Sequence, residues 1–132
     1  MAHSGQGHLV LTGRAENYLH GRPDLADTIA RLQAYQEAGA DVLYAPGLRD
    51  IADIRQVIRE VDRPVNVLVF EGVPNVPELA GAGVSRISVG GAFAFTALGA
   101  LASAATELLE QGTYGFRAAS VAGRAAATRA FS

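Results

Sequence analysis

Apolar residues gather in four short runs, at residues 9–11, Val42–Tyr44, 65–70 and 86–89. Each run is brief and rich in β-branched residues or leucine, as expected of strands covered on both faces. Between them the apolar period changes. Pro23 and Asp24 open a helical pattern that carries Leu25, Ile29 and Leu32 on one stripe and closes at Gly39. A second begins near Asp50 and carries Ile51, Ile54, Ile58 and Val61 on a stripe, with Arg55 and Arg59 turned to water. A short third helix is predicted over Val76–Ala82 and a fourth, rich in Ala and Leu, over Ala92–Gln111. The last residues, 116–132, are rich in Ala and Arg and read as either a final helix or a frayed tail.

This order alternates strand and helix four times, which reads as a parallel sheet with right-handed crossover helices. A faint internal repeat supports it. Residues 38–47 (AGADVLYAPG) echo residues 82–91 (AGVSRISVGG), each a helix end at Gly, a strand and a further Gly. Repeated βα units favour a barrel over a doubly wound sheet. The chain has 132 residues, whereas a complete βα barrel runs to about 250. The expected fold is therefore α/β, the second half of a TIM-type barrel with four strands and four to five helices. Residues 1–8 are expected as a disordered tail, 9–115 as the half-barrel domain and 116–132 as a C-terminal helix or tail.

Composition narrows the chemistry. The net charge is −2 and the hydrophobic share 49%, which suits a packed core and gives no global pull toward nucleic acid or anionic membranes. There is no Lys and no Cys, so Schiff-base lysines, disulfides and thiolate zinc sites are excluded within this chain. The N-terminus lacks the charged and apolar regions of a signal peptide. The apolar stretch at 90–105 is interrupted by Thr96 and Ser103 and falls short of the roughly 18 residues of a membrane span. A soluble, cytoplasmic protein is expected.

Active sites of parallel βα proteins form where strands end and helices begin. Four places qualify. After the first run come Arg14, Glu16 and Asn17. Arg14 can grip a carboxylate or phosphonate through two parallel hydrogen bonds, with Glu16 positioning it, or the two can form a plain surface pair. Gly47 follows Tyr44, Ala45 and Pro46, either a simple turn or a close backbone approach to a ligand. Asn66 lies inside an apolar run, where a buried amide needs partners, either neighbouring backbone or a ligand. Gly90 and Gly91 end the last run at a helix N-terminus, where free N–H groups favour an anion or the glycines allow close packing. His3, His8 and His20 lack metal-ligand spacing, and Asp24 and Asp27 suit a helix's first turn.

These segments, GRAEN at 13–17, AGADVLYAPGL at 38–48, PVNVL at 64–68 and GVSRISVGG at 83–91, resemble the isocitrate lyase/phosphoenolpyruvate mutase family in order and spacing. The resemblance covers residues 9–115 and only the C-terminal half of that family's barrel. It implies a carbon–carbon lyase or carbon–phosphorus mutase using Mg²⁺ to stabilise an enolate. It also implies that Arg14 and Asn66 contact substrate, and that Glu16 is the acidic residue beside the arginine. Pro46 and Gly47 occupy the loop where some lyases of the family carry a Glu, which favours the phosphonomutase-like branch. The family's metal-binding carboxylates belong to the half with no counterpart here, so Mg²⁺ ligands are not expected in this chain. Partners implied are a small carboxylate or phosphonate substrate and either a missing N-terminal half or a second copy of the chain. Two alternatives stand: a non-catalytic half-barrel that self-associates, and a different βα barrel enzyme that grips a phosphate ester at Gly90 and Gly91.

Overall fold

The computed structural model describes residues 9–131. They fall into two compact units, one ending at Gly90 and one starting at Gly91. The proposed tail at 1–8, with His3 and His8, lies outside the described residues.

The first unit alternates β1 (Thr12–Arg14), α1 (Leu25–Glu37), β2 (Val42–Tyr44), α2 (Ile51–Glu60), β3 (Val65–Leu68), α3 (Val76–Ala82) and β4 (Arg86–Ser88). All neighbouring strands pair in parallel, in the order β1-β2-β3-β4. Each helix starts on a side-chain cap. Asp24 accepts from the Asp27 N–H, Asp50 from the N–H groups of Ala52 and Asp53, and Asn75 forms a reciprocal capping box with Glu78. The loops that close α1 and α3 turn through left-handed glycines, Gly39 and Gly83.

Strand side chains alternate between faces. Leu43, Val65 and Val67 point to the helix side and are buried with Ile29 and Leu32 of α1, Ile54 and Val57 of α2, and Leu79 of α3. Each fully buried aliphatic contributes roughly 1.5–3 kcal/mol against leaving it exposed. On α2 the buried positions are Ile54 and Val57, while Ile51, Ile58 and Val61 pack at the margin. Gly13 sits where α1 crosses β1; a Cβ there would lie 2.8 Å from Tyr35 Cβ. The opposite, open face carries Thr12, Arg14, Tyr44, Asn66, Leu68, Arg86 and Ser88.

The first strand lies later than the apolar run at 9–11 suggests. Leu9, Val10 and Leu11 are exposed, and the ladder pairs Thr12 with Val42 and Arg14 with Tyr44. Leu11 only leads into the strand: its carbonyl accepts from Asp41 and Val42, and its N–H donates to the Asp41 carboxylate at 2.8 Å. Pairing with β2 decided the boundary, not apolarity.

The second unit contains α4 (Ala92–Thr106), which runs on as a π-helical turn over Glu107–Gln111, and α5 (Arg117–Phe131). The last helix thus exists in place of a frayed tail. Glu107 ties the connection: one carboxylate oxygen accepts from the Thr113 hydroxyl at 2.7 Å and from the Gly115 N–H at 2.5 Å. No residue of α4 is buried. With its π turn it gives a 20-residue helix, Ala92–Gln111, of mean hydropathy 1.5, long and apolar enough to cross a membrane by length and composition. That corrects the length read from residues 90–105, because the helix does not stop where the apolar run does. Core helices of soluble proteins meet the same criterion.

Candidate active site

Every second residue of a strand shares a face, and register aligns those residues with their partners on the neighbouring strand. Arg14 pairs with Tyr44, Tyr44 with Asn66, and Asn66 with Arg86. One row across the open face therefore reads Arg, Tyr, Asn, Arg. A cavity of about 380 Å³ is lined by this row together with Thr12, Leu68, Ser88 and Gly90. Three of the residues singled out from sequence, Arg14, Asn66 and Gly90, thus meet at one cavity.

Arg14 holds two contacts at once. Its Nε lies 2.5 Å from a Glu16 carboxylate oxygen, and its Cζ stands 5.2 Å from the centre of the Tyr44 ring. Both members of the ion pair are nearly half exposed, so the pair orients the guanidinium more than it stabilises the fold. The ring contact adds about 0.5–1 kcal/mol. Glu16 is therefore a neighbour of the arginine but does not line the cavity that Arg14 shares with Asn66. It also lies 3.4 Å from His20 Nε2.

Asn66 is 4% exposed. Its Nδ2 donates to Ser88 Oγ at 3.0 Å, while its Oδ1 is buried without a partner. Neighbouring backbone does not satisfy it. An unpaired buried amide oxygen costs about 1–3 kcal/mol, and such defects gather at functional sites.

The other candidates fall elsewhere. Gly47 lines a separate cavity with Tyr18, Pro23, Asp50 and Asp53. Its φ of +93° and the approach of Tyr18 Cβ, 3.0 Å from where its own Cβ would stand, give it a backbone reason to be glycine. Burial, followed by the charges of Asp53, Asp24 and Asp50, raises the Tyr18 pKa. Gly91 opens the second unit as the residue before α4 and has no side chain to cap it. A larger cavity of about 690 Å³ is lined by Arg14, Glu16, Asn17, His20, Arg22, Arg31 and Tyr35. Its arginines at 14 and 31 are already paired with Glu16 and Asp27. Asn17 organises its wall: Nδ2 reaches the carbonyls of Arg22 and Asp24 and the hydroxyl of Thr28, all within 3.2 Å.

Arg86 was not singled out from sequence, and Tyr44 and Ser88 stood only at the start of candidate segments whose glycines carried the expectation. Period-two alternation outward from Asn66 was the available signal, but it needs the register to become specific.

A model of the phosphoenolpyruvate phosphomutase family matches residues 1–109. The chain belongs to this family. Solved structures similar to it include a candidate lyase/mutase from Burkholderia cenocepacia J2315, 58% identical with a TM-score of 0.77, covering 81% of this chain and 39% of that one. A candidate phosphonomutase from the same organism is 43% identical with a TM-score of 0.59, covering 67% of this chain and 34% of that one. A 2,3-dimethylmalate lyase of the PEP mutase/isocitrate lyase superfamily is 26% identical with a TM-score of 0.69, covering 80% and 38%. The uncharacterized protein Rv1998c of Mycobacterium tuberculosis is 32% identical over 83 residues, 62% of this chain and 32% of that protein. The chain thus spans two fifths or less of each of these proteins, and its four parallel βα units are those of the family's TIM-type barrel.

Magnesium is the metal this family implies. Among the described residues no group of three or more His, Asp or Glu side chains could hold a metal ion, and the open-face cavity is lined by two arginines and no carboxylate. Mg²⁺ prefers hard oxygen ligands, so the described residues of this cavity do not fit it.

Proposed function

We propose that this chain supplies the acid-binding face of a carbon–carbon lyase or carbon–phosphorus mutase whose substrate is a small 2-oxo or 2-hydroxy acid. The observation that carries this is the convergence of Arg14 and Asn66 on one cavity. Arg14, steered by Glu16 and backed by Tyr44, clamps the acid group. Asn66, whose Nδ2 gives one proton to Ser88, keeps a second N–H for another substrate oxygen. Gly90 adds backbone close to the same cavity. By family resemblance Mg²⁺ would supply charge stabilisation for an enolate, and the carboxylates to hold it would have to come from outside the described residues. Alone, this chain turns over little or nothing. The test is an assay of the purified chain with Mg²⁺ and, in turn, oxaloacetate, phosphonopyruvate and methylisocitrate. Turnover at background rates is expected; brisk turnover contradicts the reading.

We read the protein as soluble, with α4 as a barrel helix and not a membrane span, because Ala92–Thr106 lies inside the residues matched by the family.

A second reading, a non-catalytic half-barrel that self-associates, is favoured by the sheet's edges. Among the described residues β1 and β4 each pair on one side only, and open edges recruit other strands. Sedimentation decides it: concentration-dependent dimerisation supports this reading, and a folded monomer at all concentrations removes it.

A further inference from the structure

We propose that His20 sets the pH dependence of the acid clamp: once protonated, its imidazole draws Glu16 away from Arg14 and frees the guanidinium for an acid ligand. His20 acts through Glu16 and Arg14 and is thus a positioning residue. The proposal concerns regulation of the open-face site and rests on the reading of Arg14 as its acid-binding residue.

Arg14 lines both the open-face cavity and the larger cavity beside α1, whereas Glu16 and His20 line only the second. The Glu16 carboxylate is divided between them. One oxygen lies 2.5 Å from Arg14 Nε and the other 3.4 Å from His20 Nε2. The second contact is longer than a formed N–H···O bond, about 2.7–3.2 Å. A protonated imidazole makes a charge-assisted bond of about 2.7–2.9 Å to a carboxylate, so this contact has room to tighten. The backbone beneath it is anchored. The His20 N–H donates to the carbonyls of Glu16 and Asn17, both at 3.2 Å, and the buried Asn17 amide is tied to Arg22, Asp24 and Thr28. Side chains 16 and 20 are therefore held facing each other, while both are exposed enough to swing. The charged and titratable groups around His20 are Glu16 and Arg22 of its own loop, Arg14 at the end of β1, and Arg31 and Tyr35 of α1. Glu16 is the one carboxylate among them, and Arg31 is already held by Asp27. A guanidinium stays protonated at any working pH, so the partner that protonated His20 recruits is Glu16. Arg14 then turns its Nε–H as well as its terminal N–H groups to the ligand. The bland reading is an exposed contact of no consequence, in which protonating His20 leaves Arg14 as it was.

Calorimetric titration of the full chain with oxalate from about pH 8 down to about pH 5.5 separates the two, because imidazole changes charge in this interval while the ligand stays ionised. The parent is expected to bind about three- to fivefold more tightly at the acid end, the size of an exposed ion pair. His20→Gln, whose fold is checked by circular dichroism, should hold the weaker, alkaline-end affinity throughout. Glu16→Gln should hold the tighter, acid-end affinity throughout, since Arg14 then has no carboxylate to be released from. In the ligand-free parent the Arg14 Nε–H resonance should follow pH through the same interval, a measurement that needs no variant to fold. If parent affinity is level across the interval, if that resonance stays still, or if the slope survives in His20→Gln, the proposal is overturned, while loss of binding in Arg14→Ala keeps the site reading. If the parent binds no oxalate at any pH, or Arg14→Ala binds it as the parent does, the site reading fails and the His20 proposal with it.

Discussion

Asn66 joins stability to chemistry within one side chain. Its Nδ2 is satisfied by Ser88 and its Oδ1 is not, so the residue costs the fold something that a packed Leu would not. Removing the Ser88 hydroxyl leaves both ends of the amide unmet. Ser88→Ala is therefore expected to lower unfolding free energy by about 1–2 kcal/mol, measured by urea denaturation. An unchanged midpoint would mean that the Asn66 amide finds another partner. Gly13 makes the opposite argument, from space. A methyl there meets Tyr35 Cβ at 2.8 Å, and both atoms are close to backbone, so neither can swing away. Gly13→Ala should cost about 1–3 kcal/mol by overpacking and shift β1 against α1; a fully stable variant would contradict the packing described. Asn66 was legible as an oddity because it interrupts an apolar run. Arg86 was not, because only strand register brings it beside Asn66.

At the scale of elements, the helices were legible because caps and periodicity agree: Asp24, Asp50 and Asn75 each sit where an N-cap is needed. Asn75→Ala should destabilise the first unit by about 1 kcal/mol through loss of the capping box, as read from its urea midpoint. The strands were less legible. β1 contains Thr, Gly and Arg, since one face lines a polar cavity and the other needs a glycine under α1. The apolar residues just before it drew the strand toward them. The connection after α4 was not foreseen. Its key is Glu107, whose carboxyl is held below its ordinary 4.5 by the Thr113 hydroxyl first and the Gly115 N–H second. A folded pKa below the unfolded one means that the link stabilises the fold above the unfolded value. That contribution is lost as pH falls through the folded value. The amide proton shift of Gly115 should therefore titrate with a midpoint below 4.5; a midpoint at or above it would show that the carboxylate does not hold the turn.

For the whole molecule, alternation of period-two and helical patterns disclosed the parallel βα order, and the family match agrees with it. What no pattern in the residues reveals is the fate of the two open sheet edges, because that depends on what else is present. The residues proposed to bind the acid all lie within the first unit of this chain, so the proposal can be tested without any partner. The most direct measurement follows the side-chain resonances of Arg14 Nε–H and Asn66 Nδ2–H₂ in labelled protein during titration with oxalate. The account expects both to move together along one binding curve, with resonances near Gly47 unaffected. Movement confined to other surfaces, or Arg14 and Asn66 responding with unrelated affinities, would contradict it.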